Sequence, residues 1–173
     1  ADLVAYMGTL RQKVDTARWP GMPERMPMVK KPARLERLHS VAMKFDHPVC
    51  IIASPTADHE YFVVEQKTRR IFRLSKGEGD FSTDSKELFV DLSDEASTGQ
   101  FEGVLCLAFH PRYRENRKYY VNYHVRNQGS HFSPIIAERK ATADFRRDAG
   151  GRSRRLLQIP QDTDLHWGGM LAF

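Results

Sequence analysis

The sequence has few of the features that announce an activity. Its 173 residues hold two cysteines, Cys50 and Cys106, too few for a disulfide framework or a cysteine-built zinc site. No run approaches the ~18 consecutive apolar residues of a membrane-spanning helix, and the amino terminus lacks the basic, apolar and small-residue order of a secretory signal. A glycine-rich phosphate loop and a Gly-x-Ser-x-Gly elbow are missing, so nucleotide and hydrolase chemistry have no support. A general basic surface is missing as well. The net charge of +5 comes from residues 11–40, where eight Lys/Arg face Asp15, Glu24 and Glu36, and the remaining 19 basic and 19 acidic residues cancel. Nothing in that balance tracks a phosphate backbone, so a nucleic-acid partner is not expected.

What is present is β-sheet punctuation. Residues 1–18 carry Leu3, Met7, Leu10 and Val14 on one helical face, which predicts a short amphipathic helix. Residues 19–40 hold Pro20, Pro23, Pro27 and Pro32 among basic residues and read as a linker, since proline locks φ and removes a donor. From Val41 onward, short runs rich in Val, Ile, Tyr and Phe alternate with turn residues. Strands are expected at 41–45, 49–54, 60–66, 70–74, 87–92, 103–109, 118–125, 134–139, 155–159 and 168–173. Such lengths and spacings fit a sandwich, a barrel or a propeller, whose blades take ~40–50 residues each. Cys50 and Cys106 lie inside apolar runs and read as buried thiols; whether they pair depends on geometry. His124 and His131 have no third ligand nearby, so no metal site is expected from them. The arginines around Gly150-Gly151 (Arg146, Arg147, Arg152, Arg154 and Arg155) read as a solvated loop. The strand-like run 168–173 stops without a following turn, so the sequence is expected to be a piece of a longer protein.

One block is specific enough to suggest a family. Glu102-Gly103-Val104-Leu105-Cys106-Leu107-Ala108-Phe109-His110-Pro111, followed by Tyr113, Asn116 and the strand Lys118 to Tyr123, resembles the glucose/sorbosone dehydrogenase family of soluble quinoproteins. Phe45-Asp46-His47-Pro48, the strand ending Glu65-Gln66 and the strand starting Arg70-Ile71-Phe72 are similar to that family's opening blade. His166-Trp167-Gly168-Gly169 is similar to the approach to its active-site histidine. The resemblance covers about 41–173 and implies an all-β fold, the first two to three blades of a six-bladed propeller behind the helix and linker. Ala1 to Leu10 resembles the last helix of a cytochrome c domain, which would place a haem upstream.

By resemblance, the activity is oxidation of a sugar or polyol hydroxyl by hydride transfer to pyrroloquinoline quinone (PQQ). His166 is the expected general base, suited by a pKa near 6.5, and Gly168 and Gly169 would let the backbone approach the flat cofactor. Gln100 and Glu102 are candidate cofactor contacts. The calcium ligands and most cationic partners of the quinone carboxylates are expected in later blades, outside this chain, and a cytochrome c is the implied electron acceptor. The family's location implies a periplasmic or extracellular protein. Two positions depart from the pattern: Leu165 stands where the family often has an aspartate, with Asp162 or Asp164 as possible substitutes, and Phe101 stands where it has an amide or acid. The alternative is a non-catalytic propeller module of the same superfamily that binds a protein or glycan through its loops.

Overall fold

The computed structural model describes residues 38–39, 42–77, 84–126, 131–162 and 168–173. The expected helix at 1–18 and, apart from Leu38 and His39, the expected linker at 19–40 lie outside these residues, as does His166. The chain forms two four-stranded antiparallel sheets, each with its strands in sequence order. The first contains β1 (Pro48–Ala53), β2 (Glu60–Glu65), β3 (Arg70–Ser75) and β4 (Ser85–Asp91). The second contains β5 (Val104–Phe109), β6 (Lys118–Arg126), β7 (Phe132–Lys140) and β8 (Arg154–Gln158), with one short helix, α1 (Tyr113–Asn116), between β5 and β6. Among the described residues, no helix is long and apolar enough to cross a membrane.

The two sheets are copies of one pattern. In each, the first strand bulges just before its cysteine, at Pro48/Cys50 and at Val104/Cys106. In each, the ladder between third and fourth strands slips at one place, after Ile71 and after Ile136. The registers then match throughout: Glu65 pairs with Pro48 and Arg70, as Tyr123 pairs with Val104 and Ile135. A bulge sharpens local twist, so the repeated bulges give both sheets the same curvature and let one stack on the other.

They stack through an aromatic seam. Phe62 meets Phe89 at 4.8 Å and Phe109 at 4.9 Å, both edge-to-face, and Phe89 meets Tyr119 at 5.1 Å. Tyr113 on α1 continues the seam to Phe109 at 4.6 Å and Phe145 at 5.4 Å. Such pairs add about 0.5–1.5 kcal/mol each beyond burial. The alternation of β2 and β6 supplies it: Phe62 and Val64 in one sheet, and Tyr119, Val121 and Tyr123 in the other, are all buried in the common core.

The His-Pro turn is a capped structure. His110 Nδ1 accepts the Arg112 N–H at 2.9 Å and is 2.9 Å from Asn116 Nδ2, while Asn116 Oδ1 accepts the Lys118 N–H at 2.9 Å. Arg117 ends α1 in the left-handed region at φ 60°, its N–H on the Tyr113 carbonyl. His110 is therefore structural.

Two expected strands do not form. Residues 42–45 have no ladder: the Lys44 carbonyl accepts from Lys86 Nζ at 2.7 Å, and the Phe45 ring lies 4.6 Å below the same ammonium. Residues 168–173 are not a strand either. Their backbone binds side chains on the face of the second sheet, Asn122 Nδ2 to the Gly169 carbonyl at 3.1 Å and the Leu171 N–H to Cys106 Sγ at 3.4 Å. Stacking on a face offers no neighbouring backbone to pair with.

The second sheet closes around Arg139, whose side chain is 5% exposed. All five of its N–H donors are used: two on Asp148 at 3.0 and 2.7 Å, and one each on Glu95, Ser153 Oγ and the Gly151 carbonyl at 2.8, 2.8 and 2.7 Å. Tyr119 donates to Asp148, and Tyr123 donates to Glu95 at 3.1 Å. Burial pushes the Glu95 carboxyl up, but hydrogen bonds from Ser153, the charge of Arg139 and the Tyr123 hydroxyl bring it below the usual range. Removing the guanidinium leaves two carboxylates stranded. Arg139→Met should cost ~3–5 kcal/mol in urea unfolding, against ~0–1 kcal/mol for Arg70→Ala, which breaks the exposed pair with Asp91. Because the folded pKa of Glu95 is depressed, its share of stability holds above about pH 4.3 and disappears as pH falls through the lower folded value. Arg139→Met should reduce that share of the acid sensitivity, the part held by the Ser153 and Tyr123 hydrogen bonds remaining.

Candidate functional site

The first strands β1 and β5 lie side by side, and the loop entering β5 is held by groups from both sheets. Gly103 takes φ 125°, and a Cβ there would sit 2.0 Å from the Gln66 carbonyl, so only glycine fits. Its carbonyl accepts the His124 N–H at 2.9 Å. Gln66 Nε2 donates to the Phe101 carbonyl at 3.0 Å, and Lys67 Nζ donates to the carbonyls of Gly99 and Gln100. The loop 99–103 is thus clamped by the turn after β2 and by the end of β6.

Within this clamp the expected cofactor contacts separate. Gln100 is exposed. Glu102 is buried at 1% exposure and turned inward, with Oε1 2.6 Å from Arg126 Nη2. Its carboxylate occupies the space a side chain at Gly99 would need, 1.8 Å from an ideal Cβ. Arg126 lies 4.2 Å over the Phe132 ring, and the His124 ring stacks against the same ring at 6.4 Å. Burial drives the His124 imidazole below its usual pKa, against the Phe101 carbonyl and the Glu102 charge, which raise it. Phe101, at the position where a polar group was expected, is exposed at 49%.

Gly168 and Gly169 come to the same place. Gly168 is exposed at φ 71°, and Gly169 packs on Leu105, whose side-chain atoms would lie 3.1–3.8 Å from a Cβ. With Val49, Cys50, Leu105, Cys106 and Met170 they line a cleft of 320 Å³. The structure therefore seats the residues after His166 on Leu105, Cys106 and Asn122, two residues and more beyond the loop that enters β5, and neither Gln100 nor Glu102 lines the cleft they form. Sequence reasoning did not identify Gln66, Lys67 and Arg126 as the clamp, although the strand ending Glu65-Gln66 was part of the resemblance. His124 was weighed as a metal ligand and is instead packed inside. Among the described residues, no cluster of three or more His, Cys, Asp or Glu side chains has metal-holding geometry.

No known protein-family pattern matches the chain. Solved structures do. The soluble aldose sugar dehydrogenase of Escherichia coli, in its apo form, superposes with a TM-score of 0.58 at 18% identity, over 75% of this chain and 35% of that one. The fold is that of the soluble sugar dehydrogenases. The PQQ-bound aldose sugar dehydrogenase of Streptomyces coelicolor gives a TM-score of 0.54 at 18% identity, over 78% of this chain and 36% of its own, and a glucose dehydrogenase gives 0.54 at 15% identity, over 72% and 33%. The chain spans about a third of the length of the structures it matches. At these identities the likeness establishes the fold, all-β with two propeller-type blades.

The residues lining the 320 Å³ cleft include no Asp, Glu, Lys, Arg or His. They fit one face of a flat ring system, which needs apolar contact and a backbone without side chains at Gly168 and Gly169. They hold none of the carboxylates of such a group, since Arg126 is taken by Glu102. Gly103→Ala tests the clamp: with φ 125° and a 2.0 Å clash against backbone, it should destabilise the fold by ~2–4 kcal/mol in denaturant unfolding. Gln66→Ala, which removes one exposed hydrogen bond, should cost ~0.5–1.5 kcal/mol.

Proposed function

We infer that these two blades belong to a PQQ-dependent sugar dehydrogenase, in which the loop 99–103 and the segment after His166 form part of the rim of the active site. The observation that carries this reading is the packing of Gly169 on Leu105, just past the clamped loop that enters β5, in a fold shared with an aldose sugar dehydrogenase whose structure holds PQQ. Bound quinone would supply the two-electron acceptor for a hydride from the sugar. The chain's own contribution is to bind and to take a proton. Leu105, Val49 and Met170 offer apolar contact along the cleft, and the bare backbone at Gly168 and Gly169 permits close approach. His166 takes the hydroxyl proton at an imidazole nitrogen, a task for which an ordinary histidine pKa is well placed. Calcium and the cations facing the quinone carboxylates belong to the rest of the protein, as does any haem domain ahead of residues 1–18. The proposed setting is periplasmic or extracellular, with a cytochrome c as acceptor.

One observation favours a second reading, a non-catalytic module that binds a protein or glycan. Phe101 is exposed where a polar group would serve chemistry, and Glu102 is committed to Arg126. The test uses the full-length protein supplied with PQQ and calcium, followed by dye reduction with aldoses. The catalytic reading predicts turnover whose kcat/KM rises with pH through about 6–7 as the base deprotonates, and a loss of about 10²–10⁴-fold in His166→Ala. Absence of dye reduction would overturn the catalytic reading in favour of the binding module, and turnover left unchanged in His166→Ala would take the role of base away from His166.

A further inference from the structure

The two cysteines occupy the same place in the two sheets. Each is the third residue of its sheet's first strand and follows the bulge of that strand. Because β1 and β5 are neighbours, this equivalence sets the thiols face to face, with the Sγ atoms 3.5 Å apart across 56 residues of chain. Both are free; Cys106 is buried and Cys50 half-buried. They form part of the wall of the 320 Å³ cleft, so a small reagent has a route to the sulfurs. Cys106 Sγ also receives the Leu171 N–H at 3.4 Å. Donation from the Cys50 thiol, then from the Leu171 N–H, brings the Cys106 thiol below its ordinary value against burial. The same hydrogen bond, followed by burial, pushes the Cys50 thiol up.

We propose that Cys50 and Cys106 are a redox-active dithiol that closes, by exchange with a small-molecule disulfide, into a covalent staple between the first strands of the two sheets. The sulfurs must approach by only ~1.5 Å to reach a bond of ~2.05 Å, a movement of side chains on strands already in contact. One cysteine, as thiolate, attacks a sulfur of the oxidant RSSR and displaces RS⁻; the other then attacks that mixed disulfide and displaces the second RS⁻. The protein loses two electrons and two thiol protons, and the oxidant becomes two RSH. Oxidised glutathione is a sufficient oxidant.

The experiment equilibrates the full-length protein with oxidised and reduced glutathione at ratios from reducing to oxidising, traps thiols with an alkylating agent, and maps peptides by mass. In oxidising mixtures, peptides containing Cys50 and Cys106 should appear joined, ~2 Da lighter than their sum and released by reductant, with neither cysteine alkylated. The same samples should melt at least ~5 °C higher than the reduced protein. Cys50→Ser should lose that shift and leave Cys106 carrying a glutathione adduct. Both cysteines alkylated at every ratio, or glutathione adducts in place of the internal bond in the wild-type protein, would overturn the proposal. That wild-type reading stands whether or not the serine variant folds.

Discussion

A guanidinium cut off from water must be satisfied by the protein, and Arg139 is satisfied from two separate parts of the chain. Glu95 comes from the connection between the sheets, and Asp148, Gly151 and Ser153 come from the loop before β8. Asp148 also donates its backbone N–H to the Phe89 carbonyl on β4 at 2.8 Å, which carries the network into the first sheet. The buried charge is costly in itself. What it contributes is geometry: a planar fork with five fixed directions allows one arrangement of the elements around it. The aromatic seam then supplies the non-directional attraction that brings the sheets together.

The consequence reaches the candidate site through β6. Tyr119 and Tyr123 fasten one face of that strand to the network, and the strand continues into His124 and Arg126, which clamp the loop 99–103. A buried charge cluster beside β6 and β7 is thus tied, along β6, to the loop that enters β5. The repeated bulges do the same for β1 and β5, so that equivalent residues of the two sheets face each other along the inner edge.

The eight strands were legible because their alternation and turn residues are local signals, and their bounds match the structure within about two residues. The repeat was much less legible. Few residues are shared between equivalent strands, the Cys50 and Cys106 pair being one instance, and the connection between β5 and β6 is longer than that between β1 and β2. Segments 42–45 and 168–173 have strand-like composition but no ladder partner, and composition does not report whether a partner exists. At the site, glycines and the His-Pro turn were readable because each serves a backbone demand. The inward turn of Glu102 was not, since it depends on Arg126, 24 residues away, and on the space left by Gly99.

The central claim is that the start of β5 forms part of a quinone site. The most direct measurement is a crystal structure of the full-length protein grown with PQQ and calcium. The account predicts the quinone rings in van der Waals contact with the glycine-floored cleft of Gly168, Gly169 and Leu105, with its carboxylates turned toward cations from the remaining blades. Quinone bound elsewhere with this cleft buried by protein, or crystals grown in saturating quinone that hold none, would contradict it.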